Sequence, residues 1–257
     1  MKIFMPSKGR AHLIKDGTLK RWPKDTPITV VCPNDEWDKY VRATANRGPV
    51  HVKAVDVVGI SATRQAIGQM AAEDGIEKFI MLDDDLRFSY RAQEGSTKLT
   101  ESSPDEISAG LNWVEKLLTP DTAAAGISAR QGNNRLEHSV EENKRLIRTL
   151  AFRTKEFLAC KHQRVTVMED FDILLQLLRK GYKNKVLAAH AQDQKGTQTE
   201  GGCSTYRTHA NHEASARTLA ELHPSFVRLV EKKNKTGGEF GTRTEVVISW
   251  KKAFESA

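Results

Sequence analysis

Phe79-Ile80-Met81-Leu82-Asp83-Asp84-Asp85 is the stretch from which the rest of the chain can be ordered. Its first four residues are apolar with no polar alternation, the pattern of a strand covered on both faces, as in a parallel sheet. Three carboxylates follow at once. Extended backbone would send Asp83 and Asp85 to one face and Asp84 to the other. Carboxylates this close repel one another, and a divalent cation relieves the repulsion. All-oxygen ligands suit Mg²⁺ or Mn²⁺, which share their coordination shell with substrate phosphates. A solvated acidic turn is the plainer fate of a short acidic run, but the buried strand ahead of it favours a site.

Upstream, apolar runs alternate with helical periodicity. Lys2 to Met5 reads as a strand stopping at Pro6-Ser7-Lys8-Gly9-Arg10, and Ile28 to Cys32 as one stopping at Pro33-Asn34-Asp35. A third strand is expected from Val50 to Val58. Ser61 is placed to cap a helix with Ile60, Thr63, Ile67 and Met70 on one face, closed by Gly75. This alternation predicts an α/β fold with a mostly parallel central sheet flanked by helices. Ligands in such sheets sit at the carboxyl ends of strands, so Pro6–Arg10 and Asp83–Asp85 belong to one expected site. Lys8, Arg10 and Arg64 are its cations, and Arg64 is placed to reach Asp83 or a diphosphate. A solvated helix face is the alternative for Arg64.

Downstream, residues 89–105 read as a surface loop. Ser103-Pro104-Asp105-Glu106 opens a helix with Leu111, Val114, Leu117 and Leu118 on one face. Strands are expected at Ala123–Ser128, Ile147–Phe152 and Val186–His190. Met168-Glu169-Asp170 starts a helix with Phe171, Leu174, Leu175 and Leu178 inward. Gln192–Arg207 is polar and Gly-rich, a loop; a helix from Ala214 to Lys232 and a strand from Glu245 to Trp250 complete the chain.

Glu169-Asp170 is the second carboxylate pair, although the helix dipole alone favours acids in a first turn. His190 ends a strand and is a candidate metal ligand or acid–base group, with His209 and His212 as competitors. Cys32, Cys160 and Cys203 are far apart and contain no CxxC pair, which argues against a disulfide framework and suits a reducing cytoplasm. No apolar run approaches the roughly 18 residues of a membrane span, and the start is too quickly polar for a secretory signal, so a cytoplasmic protein is expected. Of the 257 residues 39% are hydrophobic and 28% charged, a globular balance that excludes a disordered or fibrous chain. The formal net charge of +7 favours a polyanionic partner. Lys144, Arg145, Arg148, Arg153, Lys155, Lys161 and Arg164 form one basic stretch, and Lys232, Lys233, Lys235, Arg243, Lys251 and Lys252 another. Either could contact nucleic-acid phosphates or be a solvated surface, with Tyr206 or Trp250 as a stacking platform.

In this order, Pro-Ser-Lys-Gly-Arg, Pro-Asn-Asp-Glu, Gly59-Ile60-Ser61-Ala62-Thr63-Arg64, Leu82-Asp83-Asp84-Asp85 and Met168-Glu169-Asp170 resemble the GT-A fold glycosyltransferases over about residues 1–195. Residues 196–257 form a C-terminal extension expected to pack on the same domain. More narrowly, the Pro-Ser-Lys-Gly-Arg start and the Met-Leu-Asp-Asp-Asp-Leu strand end resemble the TET-associated glycosyltransferases of bacteriophages. The resemblance implies a metal-dependent inverting enzyme that moves sugar from a nucleotide sugar, expected to be a UDP-sugar, to 5-hydroxymethylcytosine or its uracil counterpart in DNA. It implies Mn²⁺ or Mg²⁺ held by Asp85, Asp83 and His190, although a run of three aspartates leaves open which carboxylate binds the metal. It also implies nucleotide binding by Pro6, Ser7, Lys8, Arg10, Arg64, Asp83 and Asp84, and Asp170 as base beside Glu169. A GT-A enzyme with a glycan, protein or small-molecule acceptor is the alternative, and a non-enzymatic nucleic-acid-binding protein is a further one.

Overall fold

The computed structural model describes the chain except residues 94, 136–137, 195–201, 203–207 and 234–241. In chain order its first half contains β1 (Lys2–Pro6), β2 (Ile28–Pro33), α1 (Trp37–Thr44), β3 (Val50–Val55), α2 (Ile60–Glu73), β4 (Lys78–Leu82), β5 (Leu86–Tyr90), β6 (Thr100–Glu101) and α3 (Pro104–Leu117). The second half contains β7 (Thr122–Ala129), β8 (Val140–Glu142), β9 (Thr149–Arg153), α4 (Thr154–Leu158), α5 (Glu169–Arg179), β10 (Lys183–Gln194), α6 (His209–Leu222), β11 (Val227–Lys233), β12 (Thr242–Ile248) and α7 (Trp250–Glu255).

Ten strands form one sheet in the order β3-β2-β1-β4-β9-β7-β10-β5-β6, with β8 also pairing β10. The pairings make β3, β2, β1, β4, β7 and β10 run in one direction, while β9, β5 and β8 run against them. This is the expected α/β architecture with a mostly parallel sheet. Phe79 to Leu82 are fully covered because β4 lies between β1 and β9 with helices on both faces. One face packs Ile3, Met5, Val30 and Ile80 against Tyr40 of α1 and Ile107, Leu111 and Val114 of α3. The other packs Phe4, Phe79, Met81 and Phe152 against Ile67 of α2, Phe157 of α4 and Ile173, Leu174 and Leu177 of α5.

α3 starts as its sequence dictates: the Ser103 hydroxyl accepts the Glu106 N–H, and Pro104 occupies the first turn. Ser61 does not cap α2, contrary to expectation. The helix begins after Gly59 at φ +90°, and the Ser61 hydroxyl accepts the Gln163 N–H at 3.1 Å instead. β3 stops at Val55, and Val58 is 90% exposed, so the third strand is shorter than its apolar run suggests. The expected loop at 89–105 overlaps β5 and β6, which pair antiparallel.

The expected helix to Lys232 ends instead at Leu222, because Pro224 forces His223 out of helical geometry. The chain then enters β11, which pairs with β12 in a separate two-stranded sheet. α6, this ribbon and α7 pack through Ala216, Leu219, Val227 and Ala253 onto Val167, Met168, Phe171 and Leu175. The C-terminal unit therefore rests on the segment that leads into Glu169 and Asp170. Gly201, Cys203, Tyr206 and Lys235 lie outside the described residues. Among the described residues no helix is long and apolar enough to cross a membrane.

Candidate functional site

The carboxyl edge of the parallel strands gathers most of the singled-out residues. β1 ends at Pro6, and Ser7 turns its hydroxyl to the carboxylate of Asp84 and to Tyr40 Oη, 2.7 Å away. Arg10 donates to Asp84 Oδ1 at 2.7 Å and to Asp85 Oδ2 at 3.0 Å. Asp84 and Asp85 thus meet the same guanidinium, whereas extended backbone would have sent them to opposite faces. The chain turns after Leu82, and Thr18 fixes the turn by donating to the Asp83 carbonyl at 2.6 Å while accepting the Leu86 N–H at 2.9 Å. Asp83 points elsewhere, to Arg64 Nη2 at 3.3 Å. The other terminal nitrogen of Arg64 binds Glu169, so residues distant in sequence meet at one cation.

The electrostatics of this cluster are under-compensated. Desolvation raises the Asp83 carboxyl to about 6 against the pull of Arg64, with Asp85 and Asp84 adding to the rise. Burial likewise raises Glu169 to about 7, opposed by Arg64 and reinforced by Asp170. Asp84 is raised as well, again by burial first, against Arg10 and the hydrogen bonds from Ser7 and Arg10. Asp170 accepts its neighbour Phe171 N–H at 3.0 Å and, with Ser61, Arg64, His162 and Glu169, lines a small cavity between α2 and α5. Pro6 is buried at the end of its strand, and Lys8 is exposed with its carbonyl accepting the Gly202 N–H at 2.7 Å.

A family model described as "TET-Associated Glycosyltransferase" matches residues 1–203. The chain belongs to the TET-associated glycosyltransferase family.

No curated protein matches this TET-associated glycosyltransferase by sequence. Among solved structures, S. aureus TarS 1–349 in complex with UDP is similar at 14% identity and a TM-score of 0.51, over 86% of this chain and 65% of that one. A structure of S. aureus TarS 1–349 whose description does not mention UDP gives 13%, 0.50, 86% and 65%. A Desulfovibrio desulfuricans protein described as a nucleotide-diphospho-sugar transferase gives 12% and 0.42, over 73% and 80%. The chain thus spans 65% of the TarS segment it matches, and at these identities the likeness establishes the fold alone.

His190 is the expected ligand that the structure does not bring to the aspartates. Its partner in β5 is Tyr90, and its ring packs between Tyr90 and Trp113. It also lies under Gly110 of α3, where a Cβ would come 2.9 Å from its Nδ1. Gln194, four residues further along β10, is the one that reaches Asp85, at 3.0 Å. Four strand residues are roughly 13 Å, so His190 is not grouped with the aspartates. Among the described residues no cluster of three or more His, Cys, Asp and Glu is arranged to hold a metal. Asp83, beside Arg64, and Asp85, beside Arg10, offer the oxygen donors that a hard cation takes when it completes its shell with phosphate and water. Both are partly accessible, at 27% and 16% of side-chain area.

Sequence reasoning missed four contributors. Tyr40 holds Ser7 and accepts the Arg10 N–H at 3.1 Å; Glu36 accepts the Gly9 N–H at 2.6 Å; Thr18 and Gln194 fix the aspartate turn. Glu36 alone had a signal, as the last residue of Pro-Asn-Asp-Glu. The competing histidines His209 and His212 lie on α6, near Glu213 and Glu245 respectively.

Proposed function

We propose that this TET-associated glycosyltransferase moves a sugar from a UDP-sugar to the hydroxymethyl oxygen of a 5-hydroxymethylpyrimidine, expected to be 5-hydroxymethylcytosine, in cytoplasmic DNA, with inversion. The observation that carries the reading is the meeting of Asp83–Asp85, Arg10, Arg64 and Glu169 at the carboxyl edge of the sheet in a chain of this family. The loop from Pro6 to Arg10, with Arg64, Asp83 and Asp84, holds the nucleotide, Asp83 meeting its ribose or Arg64. Asp170, at the start of α5, accepts the proton as the hydroxymethyl oxygen bonds to the anomeric carbon and the bond to the diphosphate breaks. A single displacement of this kind needs one base, forms no covalent enzyme intermediate and inverts the anomeric centre. Asp83 and Asp85 would hold Mn²⁺ or Mg²⁺, which would supply positive charge to the departing diphosphate. The surplus of basic residues suits a polyanionic acceptor, and a base substituent in duplex DNA reaches such a crevice by flipping, at a cost of a few kcal/mol.

The test is sugar transfer from a panel of UDP-sugars to DNA with and without 5-hydroxymethylcytosine, in the presence of Mn²⁺. Transfer is expected only to the modified DNA. Asp170→Asn is expected to lower kcat by about 10²–10⁴-fold, the usual worth of a general base. Glycosylation of a non-DNA acceptor alone would replace the acceptor in this reading. DNA binding with no donor cleavage would reject the enzyme.

A further inference from the structure

Immediately before β9, Arg148 adopts φ +66°, and the Thr149 N–H donates across it to the Ile147 carbonyl at 2.7 Å. A hydrogen bond spanning one residue of positive φ is a γ-turn of the rarer, strained hand, which an arginine seldom occupies. The surroundings hold it there. The Arg148 carbonyl accepts the Asp83 N–H at 3.0 Å. Thr149 Oγ1 accepts the Ile127 N–H at 2.9 Å and donates to the Ile127 carbonyl at 3.0 Å. Gly126 permits the close approach, since a Cβ there would come 2.1 Å from the Thr149 carbonyl oxygen. Strain that neighbours over-determine in this way concentrates at ligand sites.

The side chain extends along the carboxyl edge from the first residue before β9 to the end of β10. Its Nη1 lies 3.5 Å from Oε1 of the buried Gln192, whose own amide donates to the Ile147 carbonyl at 3.1 Å. Arg10 and Arg64 are each committed to two carboxylates. Arg148 has a neutral amide for a partner, and no carboxylate among the described residues pairs with it. A guanidinium so held is a donor fork for an arriving oxyanion.

We propose that Arg148 binds phosphate oxygens of a substrate, and that the strained turn before β9 exists to hold it at the crevice. This rests on the nucleotide-sugar and DNA reading above, which supplies two sources of the same chemistry: the donor's diphosphate and the acceptor's backbone.

The test measures binding of UDP with Mn²⁺, and separately of a duplex containing 5-hydroxymethylcytosine, to the unaltered protein and to R148A, R148K and R148G, alongside thermal melting. R148A and R148G are expected to lose at least about tenfold in affinity for one probe, the scale of a charge-assisted hydrogen bond. R148K, which keeps the charge without the fork, is expected to lose less. A loss confined to UDP assigns the donor diphosphate, and one confined to the duplex assigns the acceptor backbone. R148G, free to adopt positive φ, is expected to melt about 2–4 °C higher. Affinities for both probes within about twofold in R148A overturn the proposal and leave the function standing. A lower melting temperature in R148G overturns it too, by making the arginine a support of the fold. Binding of neither probe by the unaltered protein overturns this proposal together with the donor reading.

Discussion

Two ion networks hang from the same helix, one turn apart, and they are built oppositely. At the start of α5, Glu169 shares Arg64 with Asp83, and Arg10 alongside is divided between Asp84 and Asp85. There, carboxylates outnumber the cations that touch them. One turn on, Asp172 takes both Nε of Arg164, at 2.9 Å, and its Nη2, together with His223 Nε2 at 2.8 Å and the Gln176 amide at 3.2 Å. There, donors converge on a single carboxylate. Burial acts to raise all of them, yet Asp172 ends below its ordinary value because His223 and Arg164 outweigh desolvation, while Glu169 and Asp83 end well above theirs. Excess of acceptors marks a place that a cation or cationic ligand completes. Excess of donors marks a staple, and this one ties His223 at the end of α6, and with it the C-terminal unit, to the helix carrying Asp170.

The largest way to break this contrast is Asp172→Asn. It leaves the Arg164 guanidinium and the buried His223 ring facing an amide in place of a carboxylate, and a loss of about 3–5 kcal/mol in unfolding free energy by urea titration is expected. Glu169→Gln, three residues earlier on the same helix, is expected to stay within about 1 kcal/mol of the unaltered protein at pH 8, because the carboxylate it removes is already disfavoured there. Equal losses in the two variants would erase the distinction between site and staple.

The pH dependence sharpens it. Asp83 and Glu169 have folded values of about 6 and about 7 against ordinary values of 3.8 and 4.5. Between those limits the folded protein holds more protons than the unfolded chain, so their contribution is full below the ordinary values and fades as pH rises through about 6 to 7. Asp172 works the other way: its contribution is present above its ordinary value and is lost as pH falls through its lowered one. Unfolding free energy is therefore expected to fall by about 1–3 kcal/mol from pH 5 to pH 8, with a shallower slope in Glu169→Gln. A rise over that range would mean the crevice is compensated after all.

The sheet was legible in the sequence because each parallel strand is a short β-branched or apolar run with a turn signal at its end, and those ends are where the site lies. Pro6–Arg10, Arg64, Asp83–Asp85 and Glu169 could be assembled from that rule. What local pattern does not carry is which distant backbone meets which. The Asp84–Asp85 turn depends on Thr18, 65 residues before the Asp83 carbonyl it meets, and on Gln194, whose role exists only once β5 pairs with β10. β11 was hidden because Ala214 to Lys232 keeps helical composition through His223, and Pro224 alone signals the break. The Asp172 staple left no trace: an acid in a first helical turn looks the same whether it caps a dipole or anchors an imidazole 51 residues away.

The smallest expected effect concerns His190. Its ring fills a slot closed by Gly110, Trp113 and Tyr90, and burial pushes its pKa down, keeping the imidazole neutral at pH 7. A neutral imidazole is a good ligand in principle, so the argument against that role is positional: the residue of β10 that touches Asp85 is Gln194. His190→Leu nearly conserves volume and is expected to cost under about 1.5 kcal/mol. It should leave the Mn²⁺ concentration for half-maximal UDP binding within about twofold, whereas Asp85→Asn should raise it at least about tenfold, the scale of one lost charged contact. Gly110→Ala supplies the converse, since the added methyl must displace the ring and should cost about 1–3 kcal/mol without touching the Mn²⁺ requirement. If His190→Leu instead lost its response to Mn²⁺ as Asp85→Asn does, the end of β10 would have to move by several residues to bring the imidazole to the aspartates, and the packing of α3 against it would have to open in the working enzyme.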